Sequence, residues 1–141
     1  MSYCTQQDLV DRYSEEELIQ LTDREGTGAI NPQRVDDAIA DATATIDSRL
    51  GGRYSLPISP VPLVLNKLAC KLSLFALYEN ARQMSDDMRK DHQQALSELD
   101  AIGAGRISIG IDAAGGKPAS NNTAQMSSGG NVFNRKDTSF I

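Results

Sequence analysis

Apolar residues recur at helical spacing along most of this chain of 141 residues. The longest series predicts an amphipathic helix with aspartates between its apolar positions, which are Val35, Ala38, Ile39, Ala42, Ile46 and Leu50. Asn31 and Pro32 are a typical cap and first residue for such a helix. The pair Gly51 and Gly52 predicts its end.

Two short helices are predicted before the long one. Thr5 can cap the first of them, with Asp8 three residues further on. Ser14 followed by Glu17 is the pattern of a capping box, so we expect the second helix to begin there. The glycine-containing stretch EGTG then predicts the end of that helix.

The second half of the chain predicts a loop and two further helices. The segment from Arg53 to Pro62 holds three of the five prolines and cannot continue a helix, so it predicts a structured extended loop. Residues 63 to about 84 are apolar around most of a helical circumference, which predicts a central helix buried on several sides. Ser85 predicts the start of a last helix, and Gly103 with Gly105 its end.

The stretch RISIGID, residues 106–112, carries the strand-like signal of the chain. Its apolar residues alternate at Ile107, Ile109 and Ile111. A single strand has no partner within this sequence. We therefore expect it either to pack on the helices as an extended arm or to pair with another chain.

The composition changes at Ala113 to mostly Gly, Ala, Ser and Asn, which cannot bury enough apolar surface to fold alone. The final stretch, VFNRKDTSFI, regains apolar side chains at Val132, Phe133, Phe140 and Ile141. We predict an all-α fold, a small bundle of about five helices of which two are long. The predicted parts are a helical domain over 1–105, an extended β-like arm over 106–112, and a flexible tail over 113–141 that orders on a partner.

The composition fits this prediction. Aromatic residues make up only 5% of the chain and tryptophan is absent, so Ala and Leu have to supply the core, which favours packed helices. No apolar run approaches the ~20 residues that span a bilayer, and we expect no membrane segment and no signal peptide. Cys4 and Cys70 do not form a disulfide framework and fit a reducing cytoplasm.

The net charge of −5 is unevenly distributed. Residues 1–112 hold 18 acidic and 11 basic side chains, a balance of −7, whereas residues 113–141 have a balance of +2. An acidic body is unlike a nucleic-acid clamp, which needs a basic surface. The basic tail is suited to docking on a neighbouring subunit, and a simply solvated tail is the alternative on charge alone.

One short stretch has the spacing of a calcium-binding EF-hand loop. Asp23, Glu25, Thr27 and Gly28 stand at its positions 1, 3, 5 and 6. Position 12, which needs a bidentate glutamate, is Arg34. We therefore interpret the stretch as a turn between two helices and expect no metal there.

Nucleophilic catalysis finds little support in the sequence. His92 is the chain's one histidine and falls within a predicted helix, where we expect a solvated side chain. Cys4 lies near the terminus and Cys70 in an apolar helix, and nothing in the sequence places either within reach of the imidazole.

Carboxylate pairs and glycine-rich loops are equally weak signals. Two groups of aspartates each fall on one face of a predicted helix: Asp36, Asp37 and Asp41, and Asp86, Asp87 and Asp91. Such groups could bind magnesium or transfer protons, but most of them are simply exposed to solvent. The stretch GAGRISIG follows a helix instead of preceding one, so it is not a phosphate loop. We expect no catalytic residue, no cofactor and no metal, and hence no enzyme.

Four stretches, in this order and spacing, carry a family likeness: LTDREGTGAIN, GGRYSLP, LACKLSLFALY and AIGAGRISIG. Over roughly residues 3–110 the chain resembles the small head–tail connector, or adaptor, proteins of Mu-like phages and prophages. The resemblance implies a homo-oligomeric ring, expected to be a dodecamer, beneath the portal protein at the phage neck. A stopper or tail protein would lie below it, and DNA would pass through its lumen.

The resemblance also implies a virion protein that is made in the bacterial host's cytoplasm. We expect partner contacts at Ile107, Ile109, Ile111, Phe133, Phe140 and Ile141. Lumen-facing acids are expected at Asp36, Asp37 and Asp41, because carboxylates repel the phosphates of passing DNA. The alternatives are another neck or tail-completion protein, such as the stopper, and a metal-binding or DNA-binding helical module.

Overall fold

The computed structural model describes residues 2–111, which form five α-helices and no strand. They are α1 (Gln6–Tyr13), α2 (Glu15–Thr22), α3 (Pro32–Leu50), α4 (Leu63–Asn80) and α5 (Asp86–Gly103). The prediction of a small all-α fold is confirmed. Three helices are long, with 18 or 19 residues each, where the prediction counted two.

The predicted caps explain where the helices begin. Thr5 and Asp8 form a complete capping box on α1, with each side chain accepting a hydrogen bond from the other residue's backbone N–H. Asn31 caps α3 ahead of Pro32, as its side chain accepts from two backbone N–H groups of the first turn. Ser85 caps α5 in the same way.

Ser14 joins α1 to α2 and departs from the predicted pattern. Its backbone N–H donates to Val10 at the end of α1, and its hydroxyl accepts from the Glu17 N–H at the start of α2. Its φ of 109° is unusual for a residue other than glycine. Only half of the predicted capping box forms, because the Glu17 carboxylate accepts a hydrogen bond from the Tyr78 hydroxyl of α4 instead.

Helix α4 lies at the centre of the bundle and packs against all four other helices. Its buried residues occupy several sides of the helix: Leu65, Leu68, Ala69, Cys70, Leu72, Ser73 and Leu77. The predicted apolar series of α3 is buried in full against it. The prediction of a central helix buried on several sides is therefore confirmed.

Helices α3, α4 and α5 alternate in direction. At one end of the bundle, Arg49 near the end of α3 pairs with Asp100 near the end of α5 at 2.5 Å. Asn66 in the first turns of α4 donates to Asp8 and to the backbone of Tyr3, whose hydroxyl donates to Asp47 of α3. The C-terminal ends of α3 and α5 thus lie beside the N-terminal end of α4.

The proline-containing loop between α3 and α4 is attached to the core at two points. Tyr54 and Ile58 are buried, and the peptide bonds before Pro57 and Pro60 are cis. Leu56, between the two buried residues, is exposed. The loop is structured, as its sequence predicted.

Residues 106–111 do not form the strand that their alternation suggested. Ile109 is only 7% exposed and belongs to the chain's own core, whereas Ile107 and Ile111 are 40% and 37% exposed. Gly110 has a φ of +85° and its N–H donates to the Ser108 hydroxyl, so the backbone bends there. The predicted tail lies outside the described residues, and the division into three parts stays a prediction.

The close packing of α5 on α3 generates a stability prediction at Gly103. A Cβ atom at this position would collide with the backbone carbonyl of Arg49. We expect Gly103→Ala to lower the free energy of unfolding by roughly 1–3 kcal/mol, since backbone atoms cannot move aside cheaply. Urea unfolding followed by circular dichroism measures the change.

Gly52→Ala is the matched control for this prediction. A Cβ atom at Gly52 would meet nothing within 4 Å. We expect its free energy of unfolding to stay equal to that of the wild type or to rise slightly, by less than about 1 kcal/mol. Equal losses in the two variants would contradict the packing described here.

Candidate functional site

One recess on the described surface lies between the α1–α2 junction, α4 and α5. It is a cavity of about 300 Å³, which we call the aromatic cavity. Its walls combine aromatic, apolar and charged side chains: Tyr13, Glu17, Lys71, Leu74, Phe75, Tyr78, Met88, Asp91 and His92. Sequence reasoning missed this site, because its residues come from four helices and share no motif.

The imidazole of His92 stacks on Phe75 inside this cavity. The two ring centroids are 3.7 Å apart and the ring planes differ by 12°. Burial lowers the pKa of His92, since desolvation penalises the charged imidazolium. The Nδ1 atom is buried and has no hydrogen-bond partner among residues 2–111. The prediction of a solvated histidine is therefore wrong.

The polar side of the cavity combines two carboxylates, Glu17 and Asp91, with two tyrosine hydroxyls whose pKa values are raised. The hydrogen bond to Glu17, together with burial, raises the pKa of Tyr78 to about 12. Burial raises the pKa of Tyr13 to about 12 as well. Both phenols thus stay protonated at neutral pH and act as hydrogen-bonding walls. An aromatic floor with an acidic rim is suited to binding an apolar side chain next to a cation.

The two cysteines meet in the core, although 65 residues separate them in sequence. Both are buried free thiols, and the Cys4 sulfur lies 3.6 Å from the Ser73 hydroxyl, one turn along α4 from Cys70. The hydrogen bond with Cys4 and burial raise the pKa of the Cys70 thiol. Interactions with Cys70 and Ser73 instead lower the pKa of the Cys4 thiol. Both sulfurs are enclosed by the core, so the pair contributes packing.

Residues 23–34, which have the spacing of a calcium loop, are held in place by hydrogen bonds within the segment. The Asp23 carboxylate accepts from the backbone N–H groups of Thr27 at 2.8 Å and Gly28 at 2.7 Å, which lowers its pKa. Arg34, at the position of the required glutamate, forms an ion pair with Glu25 at 3.7 Å. These contacts are those of a turn between helices, as we interpreted the sequence. Residues 2–111 contain no cluster of three or more His, Cys, Asp or Glu side chains that could hold a metal.

The three acids predicted to face a lumen are all exposed on α3. Asp37 accepts a hydrogen bond from Gln33 at 3.0 Å, and Asp36 borders a shallow recess beside Asp47. Asp41 is exposed one turn further along the helix. Their position on the polar side of α3 agrees with the sequence pattern, and their lumenal role stays a prediction.

The predicted partner contacts among residues 106–111 differ in exposure. Ile107 and Ile111 are exposed and available, whereas Ile109 packs into its own chain. Phe133, Phe140 and Ile141 lie outside the described residues.

Two further exposed residues were not predicted as partner contacts. Leu63 is 77% exposed and Leu56 is 41% exposed. Both lie at the end of the bundle where α3 and α5 end and α4 begins, as does Ile107. We call Leu56, Leu63 and Ile107 the apolar end.

Comparison with known proteins decides the family. A family model described as "Bacteriophage Mu, Gp36" matches residues 3–128 of this chain. The chain belongs to this family. The resemblance to proteins of Mu-like phages, first drawn from four short stretches, is confirmed.

Two relatives within the Gp36 group match along nearly their whole length. The Mu-like prophage FluMu protein gp36 of Haemophilus influenzae is 33% identical over 133 residues, which cover 94% of this chain and 93% of the relative. Gene product J of Escherichia phage Mu is 29% identical over 143 residues, and the match covers both chains in full. In this member of the Gp36 family, none of the helices in residues 2–111 is long and apolar enough to cross a membrane.

The burial of His92 generates a pH prediction. The folded-state pKa of His92 lies below the ~6.5 of an unfolded chain. The unfolded state therefore binds more protons as the pH falls through 6.5, and the free energy of unfolding should decrease there. Urea unfolding at pH 7.5 and pH 5.5 measures this loss.

His92→Phe keeps an aromatic ring on Phe75 and removes the titrating group. We expect the loss between pH 7.5 and 5.5 to be smaller in this variant than in the wild type. The comparison is clean, because the chain has no other histidine and both proteins share the same carboxylates. An identical pH dependence in the two proteins would show that His92 does not have a lowered pKa.

Proposed function

We propose that this chain is a structural virion protein, the head–tail connector or adaptor subunit at the neck of a Mu-like phage. The observation that carries the proposal is the apolar end on a member of the Gp36 family. Large apolar side chains gathered at one end of a bundle mark a surface that another chain covers. A subunit of an assembly needs such a surface, whereas a free-standing binding module does not.

The proposed assembly is a homo-oligomeric ring of twelve copies beneath the portal protein, with a stopper or tail protein on its other side. DNA passes through the lumen of this ring. Subunits in a closed ring repeat one heterologous contact, so each copy must offer two different surfaces. The described residues offer several surfaces of different chemistry, among them the apolar end, the aromatic cavity and the acidic side of α3.

The acidic side of α3 supports the passage of DNA. Asp36, Asp37 and Asp41 form an exposed negative strip along one helix. A lumen lined by carboxylates repels the phosphate backbone and so lets the duplex slide without binding. The role is mechanical and electrostatic, which also fits a chain without a catalytic constellation in its described part.

The remaining contacts in the proposal belong to Ile107, Ile111 and the tail. Ile107 and Ile111 contact a neighbouring chain, and Ile109 is left out because its own core covers it. Phe133, Phe140 and Ile141 anchor the basic tail on the portal or on the next subunit. The protein would thus be located at the virion neck after synthesis in the host cytoplasm.

Deletion of residues 113–141 tests the tail. We expect the helical circular dichroism signal of residues 1–112 to persist, because the five helices and their core lie before the deletion. When this variant complements a phage that lacks the gene for this protein, we expect few heads to be joined to tails, because the anchors of the tail segment are missing. Plaque titre and negative-stain micrographs of heads and tails are the measurements.

A second pair of variants separates the anchors from the rest of the tail. Phe133→Ser with Phe140→Ser removes the two aromatic anchors, whereas Ser127→Ala with Ser128→Ala changes the same tail without altering any anchor. Only the first pair should lower the titre. Infectious particles at normal yield from the deleted protein would refute the proposed role of the tail.

Neutralising the acids of α3 tests the lumen. We expect a triple variant with Asn at Asp36, Asp37 and Asp41 to form particles that release DNA more slowly, because the passing phosphates are repelled less. The control neutralises Asp11, Asp87 and Glu98, acids on other helices, and removes the same total charge. In vitro ejection followed with a DNA-binding dye measures the rate, and equal rates in the two variants would place the acids elsewhere than the lumen.

A further inference from the structure

We infer that the apolar end of one subunit docks into the aromatic cavity of the next copy of this chain. This deepens the proposed function, on which it rests, by naming the two surfaces of the repeated contact. Three observations on the described residues support it: the exposure of the apolar end, the composition of the cavity, and the opposite charge and position of the two surfaces.

The apolar end is a projecting and well-supported surface. Leu63 is the first residue of α4 and the most exposed large apolar side chain of residues 2–111. Behind it, Arg53 lies over the ring of Tyr54 and fills the space where a side chain at position 105 would stand. The loop is thus held against the end of α5, and its apolar side chains are presented by ordered backbone.

The aromatic cavity has the complementary form. The stacked rings of Phe75 and His92 provide a flat apolar wall, and Met88 adds an adaptable side chain at the edge. Nothing in the described residues fills the space of about 300 Å³ between them. A leucine or isoleucine side chain suits such a recess, because it would cover apolar surface without needing a hydrogen bond.

The two surfaces lie at opposite ends of the bundle. Leu63 opens α4, whereas Phe75 stands twelve residues further along the same helix, or about 18 Å at 1.5 Å per residue. One copy cannot bring both of its own surfaces together without unfolding. A contact between two different surfaces is heterologous, and its repetition generates a ring or a filament.

The charges favour docking of the apolar end into the aromatic cavity over a symmetric contact between two apolar ends. The apolar end carries Arg53 and Arg106, while Arg49 nearby is already paired with Asp100. The cavity rim carries Glu17 and Asp91 against a single lysine. Docking the end into the cavity brings opposite charges together. Two apolar ends face to face would instead bring the arginines of both copies together.

Two single variants of the full-length chain test the inference in purified protein. Leu63→Asp damages the apolar end and leaves the cavity intact, whereas Met88→Arg fills the cavity and leaves the apolar end intact. We expect each to raise the concentration for half-maximal self-association at least about tenfold. Sedimentation velocity over a concentration series measures it, and a wild type that stays monomeric throughout would overturn the inference.

Mixing the two variants is the decisive step. A heterologous contact predicts that equal amounts of L63D and M88R form a 1:1 dimer, because one intact end meets one intact cavity and the chain of contacts stops there. A symmetric contact between apolar ends predicts no such dimer. Ser97→Asp and Ser97→Arg, at an exposed position of α5, carry the same charge changes and should associate like the wild type. Thermal unfolding of every variant checks that it is folded.

Other occupants of the cavity give different results. If the tail of another copy filled the cavity, M88R would lose association while L63D kept it, and a peptide of residues 131–141 would compete. Loss of association in M88R alone, or competition by the peptide, would overturn the inference and leave the neck proposal intact. Conversely, the expected dimer, together with a normal titre for the tail deletion and an unchanged ejection rate for the α3 variant, would refute the neck proposal alone.

Discussion

The burial of α4 is the constraint on which the rest of the structure depends. This helix is apolar on nearly every side, so it is stable in water only when other helices enclose it. Helices α3 and α5 cover two of its sides, and the short pair α1 and α2 crosses a third. Each enclosing helix is amphipathic and presents its polar side outward. The acidic strip of α3 is a direct consequence of this arrangement.

Enclosing a helix along its sides leaves its ends uncovered. At the N-terminal end of α4, Leu63 is exposed, and so is Leu56 on the preceding loop. Near the other end, α1, α2 and α5 do not close completely over Phe75 and Tyr78, and the aromatic cavity remains. The two surfaces that could join copies of the chain therefore have the same cause: the enclosing helices leave part of α4 uncovered at each place.

Titratable groups among residues 2–111 contribute to the fold of this member of the Gp36 family. The groups with altered pKa values are held by burial or by hydrogen bonds that organise the fold, as with Asp23 in its turn and Tyr78 on Glu17. Both cysteines are buried in the core, and the pKa of the Cys70 thiol is raised there. These groups stabilise the fold, and the exposed apolar residues at one end of the bundle support the proposed role in assembly.

Local signals in the sequence determined the helices, because caps, glycines and apolar spacing act within a few residues: Thr5, Asn31 and Ser85 begin helices where predicted. Only the tertiary structure decided which distant residues meet. Glu17 binds Tyr78 instead of completing its capping box, and Ile109 turns inward because the backbone bends at Gly110. His92 stacks on Phe75, and Cys4 lies beside Ser73 of α4 in the core. Such contacts depend on how helices pack, and no periodicity along the chain encodes that arrangement.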